Sequence, residues 1–271
     1  MNKLRPLVFV HVPKTAGTTF HQVLKREYVN RYFINAFNVD ESLRKFKSLS
    51  EFERQSIELV QGHSALYFVE YLTNPVLITF LRNPIDLVVS NFYYIKRAPW
   101  NGYHKYVNEM SSIMEFVEFT KEKKFDNLQT RHLSKVDLKN SNEIDRSIHR
   151  IEDLYDITLS NLKRFDFVFT IDEFDKALLT LRKSLNWKKI PVYTKQNKTE
   201  KRISVKELDD ETKKVIADLN SFDLKLYNLA KDIKNLSVDE EVLKQFKALN
   251  KKYQNSTKLY RWFFDLKNRL K

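Results

Sequence analysis

The chain has 271 residues, 42% of them hydrophobic, enough for a substantial core, which excludes a protein disordered throughout. It contains no cysteine, which excludes disulfides, thiolate metal sites and a cysteine nucleophile, and fits a reducing compartment. The net charge of +13 is unevenly spread: residues 242–271 hold nine lysines and arginines against one acid, Asp265, so the mildly basic remainder argues against nucleic acid as the partner.

The first apolar run, Leu7–Val12, ends at Pro13 and predicts a buried strand. It is too short for a signal-peptide core or a membrane span, and no later run reaches about 18 apolar residues. The expectation is a cytoplasmic protein, soluble or peripheral at the inner face of a membrane. From Thr18 onward Phe20, Val23 and Leu24 fall at helical spacing. Glu58–Gln61 predicts a second short strand, with Gly62 and His63 just beyond it. Pro75–Leu81 is a β-branched run stopped by Asn83-Pro84. Pro84 suits the first position of a helix, with Asn83 as its cap and Asp86 in its first turn.

Residues 96–124 are aromatic-rich and irregular, which predicts helices and loops over one end of the sheet. Phe165–Ile171 predicts another strand and Asp172–Leu185 the helix after it. The polar stretch Trp187–Ile203 predicts a loop, and helices resume at Val205. Strands alternating with helices predict an α/β domain with a mostly parallel sheet flanked by helices, over residues 1–235. Residues 236–271 are expected to form a helical extension. In it Leu259, Trp262, Phe263, Leu266 and Leu270 lie at helical spacing among basic residues. Such a basic amphipathic tail lies on an anionic membrane surface, docks on the body or pairs with a second subunit of a homo-oligomer.

Two segments carry chemistry. The first is the loop Pro13-Lys14-Thr15-Ala16-Gly17-Thr18-Thr19 between strand and helix. Backbone N–H groups and the positive end of the helix converge there on an anion. Thr15, Thr18 and Thr19 add hydroxyl donors, Gly17 permits close approach or positive φ, and Lys14 adds a point charge. A nucleotide triphosphatase loop, G-x-x-x-x-G-K-[ST], puts its lysine last, whereas here lysine comes first. Such enzymes also carry an acid after a second strand to hold magnesium; here Arg82 stands at that place. A P-loop kinase is therefore the weaker enzymatic alternative, and a nucleotide- or polyanion-binding module the non-catalytic one.

The second segment runs from Arg82 to Ser90. Arginine's planar fork suits phosphate oxygens, and Ser90 follows about two helical turns, ~12 Å, further on. Two anion-binding devices at two strand ends suit a nucleotide with anions at both its 5′ and 3′ positions.

PKTAGTT after an apolar strand, followed by LRNPIDLVVSNFY, resembles the nucleotide-binding segments of the carbohydrate sulfotransferases, in the branch of the heparan and dermatan/chondroitin sulfate O-sulfotransferases. Echoes at 61–68, 126–134 and 165–178 extend the resemblance over roughly residues 7–230. It implies a single P-loop-like domain and 3′-phosphoadenosine-5′-phosphosulfate (PAPS) as donor, leaving adenosine 3′,5′-bisphosphate. It implies that Lys14, Thr15, Ala16, Gly17, Thr18 and Thr19 hold the 5′-phosphosulfate, and that Arg82 and Ser90 hold the 3′-phosphate. Lys198 and Arg202, in a cationic loop, are candidate nucleotide contacts. The acceptor is expected to be a carbohydrate or glycolipid, and Arg131 is placed either on its side or as support for the nucleotide site.

Transfer to a hydroxyl needs a base that titrates near neutrality. Of six histidines, His63 stands where the family's Gly-His segment supplies one. His11 reads as a core residue of the first strand or as one that supports the site from behind, His21 as facing outward, and His132 and His149 as lying in polar stretches. No metal is required, since the chain lacks spacing such as H-E-x-x-H and Lys14 serves the charge role.

Overall fold

The structure is a computed structural model describing residues 5–28, 32–36, 38–123, 125–138, 142–144, 149–195, 202–232 and 238–267. Leu7–Val10 (β1) is buried at every position because it takes the centre of a sheet covered on both faces. The chain continues through α1 (Gly17–Glu27), β2 (Tyr32–Asn35), α2 (Val39–Ser48), α3 (Glu51–Gln55) and β3 (Ile57–Gly62). A 3₁₀ segment, Ala65–Tyr71, leads to β4 (Val76–Leu81), α4 (Pro84–Lys96), α5 (His104–Glu109), α6 (Ile113–Glu122) and α7 (Leu128–Leu133). Then come β5 (Val136–Asp137), β6 (Asn142–Glu143), α8 (Ile151–Leu162), β7 (Phe167–Thr170) and α9 (Phe174–Ser184). Four helices close the chain: α10 (Asp210–Leu219), α11 (Ser221–Asp232), α12 (Glu240–Asn255) and α13 (Lys258–Lys267).

The main sheet has five strands in the order β2-β3-β1-β4-β7, all parallel. The chain starts in the middle, places β3 and β2 on one side of β1, then crosses to build β4 and β7 on the other. Around such a reversal, loops at the carboxyl ends of the strands splay apart and leave a crevice. The only antiparallel pairing among the described residues is β5 with β6, outside this sheet.

Side chains alternate across the strands. Leu7, Phe9, Ile78, Phe80 and Phe169 pack on one face against Phe20 and Leu24 of α1, Leu178 and Leu181 of α9, and Phe246 and Tyr253 of α12. Val8, Val10, Val60, Leu77 and Val168 pack on the other against Phe46, Phe68, Leu133 and Leu226. A third cluster joins Val89 and Phe92 of α4 to Phe116 of α6 and Ile216 of α10. The tail therefore begins as part of the body, with Leu243, Phe246, Asn250 and Tyr253 of α12 buried.

The strands expected at Leu7–Val12, Glu58–Gln61, Pro75–Leu81 and Phe165–Ile171 are present as β1, β3, β4 and β7. Asn83 caps α4, accepting from the amides of Ile85 and Asp86. The helix expected from Asp172 starts later, after a 3₁₀ turn at Ile171–Glu173. Residues 187–195 form neither helix nor strand. Edge strand β2, with α2 and α3, is new information from the structure.

Helices α7 and α11 fix each other. The Asp223 carboxylate, in α11, accepts from the amides of Gln129 and Thr130 at 2.9 and 2.8 Å and from the Thr130 hydroxyl at 2.8 Å. Asn127, just before α7, accepts in return from the amides of Phe222 and Asp223. Gln129 then grips the end of β4: its side chain accepts from the Arg82 amide and donates to the Arg82 carbonyl. Asp223→Ala would leave two amides and a hydroxyl unpaired in the interior, at about 1–3 kcal/mol for each group that finds no partner. The expected result is a loss of about 3 kcal/mol or more, measured by urea unfolding.

Candidate functional site

The loop between β1 and α1 is held in a backbone form few residues choose. Lys14 and Ala16 have φ of 65° and 60°, each a cost of about 1–3 kcal/mol for a side chain with a Cβ. Left-handed residues in a turn help direct successive N–H groups toward one point, which suits an anion. Helix α1 starts there with no side-chain cap, so its positive end is presented to the cleft. Thr18 is exposed and Thr19 lines the cleft.

One expectation for this loop is corrected and one is narrowed. Thr15 offers no hydroxyl to a ligand: it is buried and donates to the Val12 carbonyl at 2.8 Å. Gly17 is not at positive φ; that conformation falls on Lys14 and Ala16. Gly17 serves close approach instead, since a Cβ there would stand 1.9 Å from the His11 ring.

Around the loop, cations crowd together. The Lys14 ammonium lies 3.9 Å over the Tyr94 ring. Burial, then the charges of Arg97, Arg82 and Arg202, lower its pKa to about 8. Arg82 donates to the Lys14 carbonyl at 2.8 Å and to Asp86 at 2.6 Å. Arg202 pairs with the same carboxylate. Burial lowers both guanidinium pKa values to about 10, with Arg82 adding to the effect on Arg202. Both remain charged at neutral pH. Ser90 lines the same space, whereas Lys198 lies outside the described residues.

Three imidazoles meet beside the loop. The rings of His11 and His63 stack at 4.3 Å, and His132 meets His63 edge-on at 5.8 Å. His63 Nδ1 lies 2.7 Å from the His11 carbonyl. A carbonyl only accepts, so Nδ1 carries the proton and neutral His63 keeps its lone pair on Nε2. Burial lowers the His63 pKa, opposed by this hydrogen bond and assisted by Lys135. Burial, with His63 next, takes His11 down to about 3. His11 sits just past the end of β1, buried and with its ring stacked on that of His63, as a residue supporting the site from behind would be. His132 is buried rather than set in a polar surface stretch. His21 does not face outward: it is partly buried, bonded to Gln61, and its pKa is lowered chiefly by burial.

All of this opens into one cleft of about 980 Å³, lined by Lys14, Ala16–Thr19, His63, Arg82, Ser90 and Arg202 among others. Residues not foreseen also line it, including His11, Tyr94, Asp172, Tyr193 and Lys195, with Leu243 and Lys247 from α12. Only proximity in space brings Lys247 to Lys14, so no local sequence pattern marks it. Arg131 does not line the cleft; its guanidinium holds the Asp126 carboxylate at 3.1 Å and the Asp126 carbonyl at 2.9 Å. Among the described residues no cluster of three His, Asp or Glu is placed to hold a metal ion.

The model of the sulfotransferase family matches residues 1–230, so that α12 and α13 lie beyond the matched region. No curated protein matches the chain.

The packing of Gly17 on His11 reverses an ordinary rule. Alanine inside a helix normally stabilises relative to glycine by about 0.5–1 kcal/mol. Gly17→Ala is expected instead to destabilise by about 1–3 kcal/mol through the clash. In a His11→Ala background the same change is expected to cost at least about 1 kcal/mol less, measured as a double-mutant cycle by thermal or urea unfolding.

Proposed function

As the chain belongs to the sulfotransferase family, we propose that it moves a sulfuryl group from PAPS to a hydroxyl of a carbohydrate, in a polysaccharide, oligosaccharide or glycolipid. The observation that carries this reading is the meeting of the Lys14 loop, the Arg82–Ser90 pair and His63 in one cleft. The fit to the donor is chemical. The uncapped end of α1 and the left-handed Lys14 and Ala16 suit its 5′ anion, and Arg82, Ser90 and Arg202 suit a 3′-phosphate. The donor supplies an activated sulfuryl group on a phosphate–sulfate anhydride.

The residues divide the work. Nε2 of His63 takes the proton of the acceptor hydroxyl as the new S–O bond forms and the S–O bond to phosphate breaks. Nδ1–H stays on the His11 carbonyl and holds the ring in the accepting tautomer. Lys14, steadied on Tyr94, faces the charge that grows on the departing phosphate oxygen. Arg82 ties the two anion sites together, since its guanidinium also holds the Lys14 carbonyl. The leaving product is adenosine 3′,5′-bisphosphate. The carbohydrate acceptor rests on the resemblance of the two nucleotide segments, an argument by analogy.

Two experiments follow. His63→Ala is expected to lower turnover by about 10²–10⁴-fold while the affinity for adenosine 3′,5′-bisphosphate, read by calorimetry, changes little. Equal loss of both would remove His63 from the role of base. In thermal shift, adenosine 3′,5′-bisphosphate is expected to raise the melting temperature; stabilisation by ATP with magnesium alone would overturn the donor.

The pH profile has a defined sign. His63 must be neutral, and its pKa lies below the ordinary 6.5, so kcat/KM climbs through an acid limb whose midpoint is below that value. Lys14 must be charged and titrates at about 8, so activity falls above that pH. The expected profile is a bell flat near neutrality, and Lys14→Arg should shift its alkaline limb upward.

A further inference from the structure

We propose that α13 is a peripheral anchor whose outer face lies on an anionic lipid bilayer. This does not depend on the sulfuryl-transfer reading. The sequence leaves three occupants open for the tail, and the packing of α13 separates them.

One side of the helix is fixed to the body. Phe264 meets the Tyr253 ring edge-on at 5.4 Å. Asp265 receives the Arg26 guanidinium at 3.2 Å and the Tyr253 hydroxyl at 3.3 Å. The other side is apolar and open: Leu259, Trp262 and Phe263 are 63%, 58% and 54% exposed. Their spacing of three and four residues puts them on one face. Phe264 lies two residues from Trp262, about 200° around the helix, so docked and open faces are nearly opposite. Docking thus uses one stripe and leaves the aromatic stripe outward, in a fixed orientation.

Charge then decides the occupant. Lys258 beside the stripe is exposed, as are Lys244, Lys251 and Lys252 on α12, and residues 242–271 carry nine cations against one acid. A second copy would bring the same positive field against itself, and like charges at close range oppose pairing. An anionic membrane surface complements both the field and the aromatic stripe, because Trp and Phe enter the headgroup boundary while lysines meet lipid phosphates. No helix among the described residues is long and apolar enough to cross a membrane; α13 is proposed to lie in the plane of the interface.

Flotation of the full chain with phosphatidylcholine vesicles, with and without 30% phosphatidylserine, tests this. The expected result is binding to the anionic vesicles at least tenfold stronger than to neutral ones, and weakened by 0.5 M salt. Trp262→Ser/Phe263→Ser alters only exposed positions and is expected to lower that binding at least tenfold with an unchanged melting temperature. Lys251→Gln/Lys252→Gln/Lys258→Gln, again at exposed sites, is expected to weaken it as well. No binding to anionic vesicles, or equal binding by wild type and both variants, would overturn the proposal. So would a dimer in size-exclusion chromatography that Trp262→Ser/Phe263→Ser converts to monomer, which would make the face a site for a second copy.

Discussion

The carboxylate of Asp223 is wholly buried, and burial raises its pKa against the pull of the N–H and O–H groups it accepts from. The arrangement of the cleft depends on that carboxylate. It supplies the first amides of α7 with the partners a short helix lacks, and α7, at six residues, is far too short to be stable by propensity. Once fixed, α7 sets two working groups at once. Gln129 holds both backbone groups of Arg82, and His132 three residues later stands against His63. From the other side, the Thr158 hydroxyl donates to the Thr130 carbonyl, and Asn161 donates to the Leu133 and Val136 carbonyls. A polar network of this kind rigidifies because every broken member leaves others unpaired in a dry place.

The neighbouring loop stores a different tension. Arg82, Arg97 and Arg202 act electrostatically on Lys14, with Asp86 as the shared counter-charge of the partly buried Arg82 and Arg202. Burial first, and then the repulsion of those three arginines, lowers the Lys14 pKa. An anion entering the cleft meets cations already gathered and desolvated, so little rearrangement is required of them. The left-handed backbone at Lys14 and Ala16 belongs to the same preparation: the chain is already bent into its receptive form by the fold around it.

Much of this frame is legible in the sequence, for physical reasons that also mark the limits. Strands β1, β4 and β7 are continuous apolar runs with turn residues at their ends, the pattern of a sheet covered on both sides. The Lys14 loop, His63 and Arg82 directly follow β1, β3 and β4, with Ser90 further along α4, so their meeting at the carboxyl ends of neighbouring strands follows from parallel topology. Edge strand β2, no shorter than β1 or β7, has no Gly or Pro beside it such as bounds β1, β3 and β4. The direction of a hydroxyl is not a pattern at all: Thr15 and Thr18 look alike in sequence, yet one is sealed under the loop and the other is exposed. His132 sits among Gln129, Thr130 and Arg131, polar residues that suggest a surface, but they are polar because they form the buried network. Arg131 likewise reads as a free cation and is occupied by Asp126, five residues earlier.

The wall that α12 contributes has a consequence for the order in which the molecule becomes complete. Lys14 and Lys247 both line the cleft yet stand 233 residues apart; at about 5–20 residues per second that is roughly 12–47 s of ribosomal synthesis. The nascent chain thus makes Lys14 long before the helix that carries Lys247. Until α12 has emerged and packed against α9, the cleft lacks the wall that carries Leu243 and Lys247, and Lys14 stands open to the polyanions around the ribosome.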